Sequence, residues 1–345
     1  MQNNEFILSN TQAVIPAKSV GIVGIGSYLP SKEITNNDLS FIEKPEGVDF
    51  DAVFGISARR MADGETAAQM AVKAAKDAME RFGFKGEDID LVITTNSCKD
   101  PQYLTPPFSA YVQTKIGAVN ASAFSVDCGF NGFIPSIMTA SSFIQSGFAK
   151  TVLVVAGESL LENVDFSNFK ALTIGDGAGA VILQEVEQGN GIEAFHNMSW
   201  QGPRAAGIQI RSGFKGGDKP KFSIDPFLTV EPISLQRDVP FLERYIPESL
   251  KFCFSKLEIS SNDVDKFIFG QQFAALTNAW MHNLESSIDK NFDTLETLAA
   301  IKTASIPVNL DIAYKNGVIK KGDRIALGDQ GANWYISSAI IKWCI

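Results

Sequence analysis

Four cysteines (Cys98, Cys128, Cys253, Cys344) and two histidines (His196, His282) carry the nucleophilic and base chemistry available to this chain. Cys128 has the most suggestive setting. In Ser125-Val126-Asp127-Cys128-Gly129-Phe130-Asn131-Gly132-Phe133 an apolar run ends, a small-residue turn begins and a helical pattern follows. The start of a helix presents free N–H groups and positive potential, which lower a thiol pKa and can cradle an oxyanion. A nucleophilic thiol also needs an activating base. His196 lies in the strand-like apolar run Ile192-Glu193-Ala194-Phe195-His196, where the simpler reading is a satisfied structural histidine. The cysteines are widely spaced and form no C-x-x-C pair, which suits reduced thiols rather than a disulfide frame. With two histidines beside them no metal site is expected, and no cofactor.

The chain must also supply elements to hold such groups. Its 345 residues, 45% hydrophobic and 20% charged, suffice for one large or two ordinary globular domains. A formal net charge of -9 argues against nucleic acid or an anionic membrane as the main partner. No cationic segment leads into an apolar stretch and no eighteen apolar residues run together, so a cytoplasmic protein with neither export signal nor membrane span is expected. Strand-like runs alternate with helical spacing, as in residues 65–84, where Ala68, Ala71, Ala75, Met79 and Phe82 share a face. That alternation predicts an α/β fold around a largely parallel sheet covered on both faces. Gly24-Ile25-Gly26 resembles the start of a dinucleotide fingerprint, but Leu29-Pro30 follows where a third glycine and a helix should be. A strand ending in a turn is the better reading.

The second half repeats the grammar of the first. Residues 86–93, GEDIDLVI, and 261–268, SNDVDKFI, read as one unit used twice, and each half closes on a small-residue turn and an apolar strand. This is a duplication at the scale of half the chain. It divides the molecule into an extension over residues 1–18 and two similar halves, 19–186 and 187–345.

Taken with the GDGAGAVIL segment, the turn at Asn131-Gly132-Phe133 and the run ASIPVNLDIAYKNGVIKKGDRIAL, the sequence resembles the ketoacyl synthase III branch of the thiolase-fold condensing enzymes. The resemblance covers the chain beyond about residue 18. It implies a five-layer α-β-α-β-α architecture from two duplicated halves, a dimer, and carbon–carbon bond formation between acyl thioesters of coenzyme A or acyl carrier protein. It further implies a cysteine that accepts the acyl group, with a histidine and an asparagine donating hydrogen bonds to the thioester oxygen.

None of the three is in place. The family's C-x-G-F pattern maps onto Phe130-Asn131-Gly132-Phe133, so Phe130 occupies the nucleophile position and Cys128 lies two residues too early. The histidine of P-H-Q-A-N falls in Phe269-Gly270-Gln271-Gln272-Phe273, with Gln271 read as its replacement. His282, eleven residues on along a helix, is roughly 16 Å away. The asparagine of G-N-T-S becomes Ala300, and the late glycine run is thinned to Gly331-Ala332-Asn333-Trp334.

Three functions follow from these residues. The leading one is a non-catalytic partner of an active ketosynthase paralogue, in fatty-acid-like or polyketide secondary metabolism, as a heterodimer or else a homodimer. The alternative is an acyltransferase or cyclase that loads acyl groups from coenzyme A or carrier protein onto Cys128. A third is a binding protein for an acyl thioester or carrier. Residues 211–221 are basic and glycine-rich, and Arg211, Lys215, Lys219 and Lys221 are candidate contacts to coenzyme A phosphates or an acidic carrier, against the plainer reading of a solvated loop.

Overall fold

The structure is a computed structural model. It describes residues 7–8, 11–44, 46–47, 49–97, 107–161, 164, 166, 169–201, 208–212, 226–230, 235–331 and 335–345.

In chain order the strands are β1 (Ile7–Leu8), β2 (Val20–Tyr28), β3 (Lys32–Thr35), β4 (Ala58–Met61), β5 (Leu91–Thr95), β6 (Ser122–Ser125), β7 (Val152–Glu158), β8 (Gly177–Glu185), β9 (Gly191–Gln201), β10 (Ile208–Ser212), β11 (Pro226–Val230), β12 (Lys266–Phe269), β13 (Arg324–Gln330) and β14 (Tyr335–Lys342). The helices are α1 (Phe50–Phe54), α2 (Ala67–Phe82), α3 (Phe108–Lys115), α4 (Phe133–Gln145), α5 (Leu235–Leu257), α6 (Ala274–Asn283), α7 (Leu295–Leu298) and α8 (Ser305–Lys315).

Two five-stranded sheets carry the architecture, ordered β2-β8-β7-β5-β6 and β1-β9-β14-β13-β12. Helices α4 and α8 lie between them, and one apolar cluster joins Phe133, Ile134 and Ile137 of α4 and Ile306 and Leu310 of α8 to residues of both sheets. Outside the first sheet, α2 buries an alanine-rich face, including Ala68, Ala71, Ala75 and Met79, and α3 adds Phe108 and Val112. Outside the second, α5 and α6 cover it with Ile246, Leu250, Leu276 and Trp280. The result is five layers, α-β-α-β-α, the thiolase fold.

The repeated units are built alike. GEDIDLVI and SNDVDKFI each form a 3-10 turn followed by β5 or β12. In each turn an aspartate accepts the N–H of the residue three before it, Asp88 from Lys85 at 2.7 Å and Asp263 from Ser260 at 2.8 Å.

Two expectations are corrected. The sheets are mixed rather than largely parallel: β5 pairs in parallel with β6 and β7, and β12 with β13, while β2–β8, β7–β8, β13–β14, β9–β14 and β1–β9 are antiparallel. Parallel pairing needs a crossover element. Among the described residues no α-helix lies between β7 and β8 or between β13 and β14, and both pairs are antiparallel neighbours. The leading segment is also more than an extension, since β1 adds a strand to the second sheet and Val14 exchanges backbone hydrogen bonds with Phe195 of β9.

The Gly24-Ile25-Gly26 run is structural. A Cβ on Gly26 would sit 2.3 Å from the backbone nitrogen of Ala78, so glycine lets α2 lie directly on β2. The GDGAG turn is likewise a fastening: Asp176, fully buried, accepts the N–H groups of Ala62, Leu160 and Leu161 at 2.7–3.1 Å.

The halves are tied by a charge cluster. Asp311 of α8, fully buried, meets Arg81 of α2 at 2.6 Å, Lys315 at 2.8 Å and the Ser27 hydroxyl at 2.5 Å. Arg81 and Lys315 keep partial exposure and also meet Asp77, so loss of Asp311 removes its charge-assisted hydrogen bonds without stranding either cation. Asp311→Ala is therefore expected to lower unfolding free energy by about 2 kcal/mol in urea titrations.

Candidate active site

The site sits where the turn before α4 meets the ends of β12 and β13. Helix α4 starts at Phe133 without a side-chain cap, because Gly132 precedes it. A Cβ on Gly132 would lie 1.7 Å from Thr95 Oγ1, so only glycine fits. Asn131, fully buried, does the fastening instead. Its Nδ2 donates to the carbonyls of Asp329 at 3.0 Å and Tyr335 at 2.9 Å, and its Oδ1 accepts from Ser337 Oγ at 2.6 Å. One side chain thus ties the start of the central helix to β13 and β14.

Cys128 stands in this turn, half-buried. Its carbonyl accepts the Asn131 N–H at 3.4 Å, and Gly129 adopts φ 63° while donating to Asp127 Oδ1 at 3.1 Å. Burial, and then the negative charge of Asp127, push the thiol pKa up. A nucleophilic cysteine requires the opposite shift. Phe130, also half-buried, lies with its ring centroid 5.0 Å from Lys302 Nζ, a cation–π contact.

Ala300 is fully buried and offers only its backbone, which bonds the carbonyl of Thr173 and the N–H of Gly175. Ala299 holds φ 54° and ψ -161°, a backbone conformation that favours glycine. In the G-N-T-S run this is the glycine position. Ala299→Gly is accordingly expected to raise stability by about 1 kcal/mol in urea unfolding.

Gln271, at the histidine's place in the motif, turns its amide inward. Gln271 is buried; with its oxygen toward the donors, it accepts the N–H groups of Thr294 and Leu295 at 2.8 and 2.7 Å and Asn309 Nδ2 at 3.2 Å, while its nitrogen donates to the Ala299 carbonyl at 3.1 Å. That amide holds α7 and the Ala299 turn. Its neighbour Gly270 leaves room for Asp329, for a Cβ there would lie 1.8 Å from Asp329 Oδ1.

Two buried carboxyls complete the surroundings. Glu158 accepts the N–H and hydroxyl groups of both Ser97 and Thr303, yet burial pushes its pKa up to about 7. Asp329 accepts the Gln330 N–H at 2.8 Å through Oδ1, and burial raises it to about 8 against the attraction of Lys302. Sequence reasoning missed both. Asp329 sits in GDRIALGDQG, whose small-residue pattern reads as a turn.

The remaining candidates lie elsewhere. His196 is buried on β9, bonded to Ser249 Oγ at 2.8 Å and stacked 4.7 Å from Phe252; burial lowers its pKa, in keeping with a structural role. His282 is exposed on α6. Arg211 is in β10, opposite Phe227 of β11. Lys215, Lys219 and Lys221 lie outside the described residues, as do Cys98 and Ala332, Asn333 and Trp334. Among the described residues no group of three His, Cys, Asp or Glu side chains could hold a metal ion, and no helix is long and apolar enough to cross a membrane.

The turn–helix geometry at Asn131-Gly132-Phe133, set between two stacked sheets, finds its counterparts among known proteins. A curated relative, the beta-ketoacyl-[acyl-carrier-protein] synthase III of Caldanaerobacter subterraneus, is 30% identical over 94% of this chain and 98% of its own length. This chain belongs to the 3-oxoacyl-[acyl-carrier-protein] synthase III family. The enzyme of the same name from Clostridium acetobutylicum is 31% identical over 94% of this chain and 99% of its own. Family profiles for 3-oxoacyl-[acyl-carrier-protein] synthase III and for its C-terminal part match residues 124–199 and 254–343. The crystal structure of the Aquifex aeolicus synthase III superposes with a TM-score of 0.80 at 27% identity, over 94% of this chain and all of that one.

Carboxyls whose folded pKa is raised favour folding while protonated. That contribution is complete below the unfolded values, near 3.8 for Asp329 and 4.5 for Glu158, and is lost as pH rises through about 8 and about 7. The unfolding temperature is expected to fall between about pH 5 and about pH 8, and Asp329→Asn to flatten that fall, in a pH series of thermal melts.

Proposed function

We propose that this chain is a ketosynthase III-like subunit that does not condense acyl groups itself and acts as the partner of an active ketosynthase paralogue. The observation that carries the reading is Phe130. Directly ahead of Asn131-Gly132 at the start of α4, it puts a phenyl ring under Lys302 where the family's pattern has the acyl-accepting cysteine. Ala300 has no side-chain donor, the Gln271 amide is taken up by Thr294, Leu295 and the Ala299 carbonyl, and the thiol two residues before Phe130 is shifted away from thiolate. Condensation needs a thiolate to carry the acyl group and preorganised donors for the enolate oxygen, and losing one such donor costs about a hundredfold or more in rate. Groups that act as a unit are not regained one at a time.

Support for a partner comes from the edge of the first sheet. Strand β6 pairs on one side only, and Phe124 of β6, Phe143 and Phe148 form an aromatic chain with centroids 5.8 and 5.1 Å apart. Phe148 is 65% exposed and Val119, just before β6, 76%. A second condensing-enzyme subunit laid along this edge covers both. Acyl carrier protein or acyl-coenzyme A is the ligand class that the family names supply, with Arg211, Lys215, Lys219 and Lys221 as candidate contacts.

The test is to supply acyl and malonyl thioesters to the chain alone and to its complex with an intact paralogue, following CO2 release and intact mass. The lone chain is expected to show neither turnover nor a covalent acyl adduct, and Cys128→Ala to leave the activity of the complex unchanged. Turnover by the lone chain that Cys128→Ala abolishes would establish the acyltransferase or cyclase reading instead.

A further inference from the structure

Strand β1 and the residues just after it belong to neither duplicated half, yet they are seated on one edge of the second sheet. Ile7 and Leu8 pair antiparallel with Gln201 and Trp200, and Val14 exchanges both backbone hydrogen bonds with Phe195, its N–H donating at 2.8 Å and its carbonyl accepting at 2.9 Å. Between these points the Thr11 hydroxyl donates to the Asn197 carbonyl. The opposite side of β9 pairs with β14, so the segment takes up the outer edge that β9 would otherwise leave open.

Side chains on one face of the segment are recognised as well. Ala13 is 8% exposed and joins the apolar cluster of Ala194 and Met198 on β9 with Leu250 and Phe254 on α5. His196, between those two β9 residues, reaches the Thr11 carbonyl with Nε2 at 3.3 Å and Ser249 Oγ of α5 with Nδ1 at 2.8 Å. One neutral tautomer serves both, with Nε2–H donating to the carbonyl and Nδ1 accepting the Ser249 O–H. Phe252 of α5 stacks on the imidazole and closes that side of the groove. Thr11 and Ala13 are two apart, the spacing of residues on one face of an extended strand, while Gln12 and Val14 are exposed. An edge that gives main-chain hydrogen bonds, beside a wall that receives alternate side chains, is the equipment with which proteins bind an extended peptide.

We propose that the edge of β9 beside α5 is a strand-binding groove, filled in this chain by its own leading segment and able to take the same segment in trans from a second copy. The occupant is fixed by fit. A groove shaped to Thr11 and Ala13 of one copy is shaped identically to those of another, and the small residue at position 13 excludes larger side chains. The cis segment is tethered where the Ala17 N–H donates to Gln145 Oε1 at 2.7 Å, so it returns to its own groove more readily than a free strand reaches it. The groove does not depend on the functional reading above.

A fluorescently labelled peptide of residues 5–17 is the probe, and full-length Ala13→Leu/Val14→Pro is the acceptor, since leucine overfills the site of Ala13 and proline removes the N–H that meets Phe195. Anisotropy titrations are expected to show saturable binding to the acceptor, binding about tenfold weaker to the wild type, whose own segment competes, and binding about tenfold weaker to the acceptor when the peptide carries Ala13→Leu. A second measurement needs no variant that must fold. In the wild type, excess peptide should raise hydrogen exchange at the chain's own Val14 amide, because displacement frees that N–H. A folded acceptor that does not bind the peptide, binding that ignores Ala13→Leu in the peptide, or a wild-type Val14 amide whose exchange excess peptide leaves unchanged would overturn the proposal.

Discussion

Helix α4 has a sheet on either side, and most of the rest follows from that. A helix buried on opposite faces must be apolar nearly all round, and Phe133, Ile134, Ile137, Ala140 and Ile144 meet this demand. Its first N–H groups then lie away from bulk water, and the protein must organise that end itself. Asn131 does so by joining the turn to β13 and β14, and Gly132 does so by leaving room for Thr95. Both are needed for packing whatever chemistry the turn performs. A family fold can therefore keep its geometry after the reacting groups beside it have changed.

On the reading proposed above, the centre's chemistry differs in kind: a ring, an inward-turned amide and a methyl group stand at Phe130, Gln271 and Ala300. The surroundings are still polar: two buried carboxyls, Glu158 and Asp329, and the ammonium of Lys302 remain close by. Apolar filler would have been the simpler replacement, since an unpaired buried carboxyl destabilises the fold.

The sequence made the architecture legible because periodicity and repetition report burial directly. Alanine spacing in α2 and the paired GEDIDLVI and SNDVDKFI units reappear as a covering helix and two matching turn–strand units. Strand direction was not legible, because it depends on whether a connecting segment crosses back over the sheet, and alternation of strand and helix alone does not say so. At the centre, ungapped spacing in the motifs points to Phe130, Gln271 and Ala300, but spacing does not say what each side chain touches: that the Gln271 amide is bound to α7 and the Ala299 turn is visible in the coordinates alone. Asp329 escaped notice for a related reason: it meets Gly270 across two strands more than fifty residues apart in the chain, and no local pattern encodes that meeting.

The pairing of β1 with β9 bears on how the chain is assembled. Leu8 lies opposite Trp200, so β1 leaves the ribosome some 190 residues ahead of its partner, which lies beyond the entire first sheet. Until β9 emerges, β1 is an unpaired strand with nowhere to dock, while β2, β5, β6, β7 and β8 already have one another. The second sheet is thus completed by a strand made long before its partner, and contacts of such long sequence separation form late. A stalled or truncated product would present that leading strand as a free edge, open to the β9 of another copy, which makes mispairing between nascent chains the characteristic hazard of this layout.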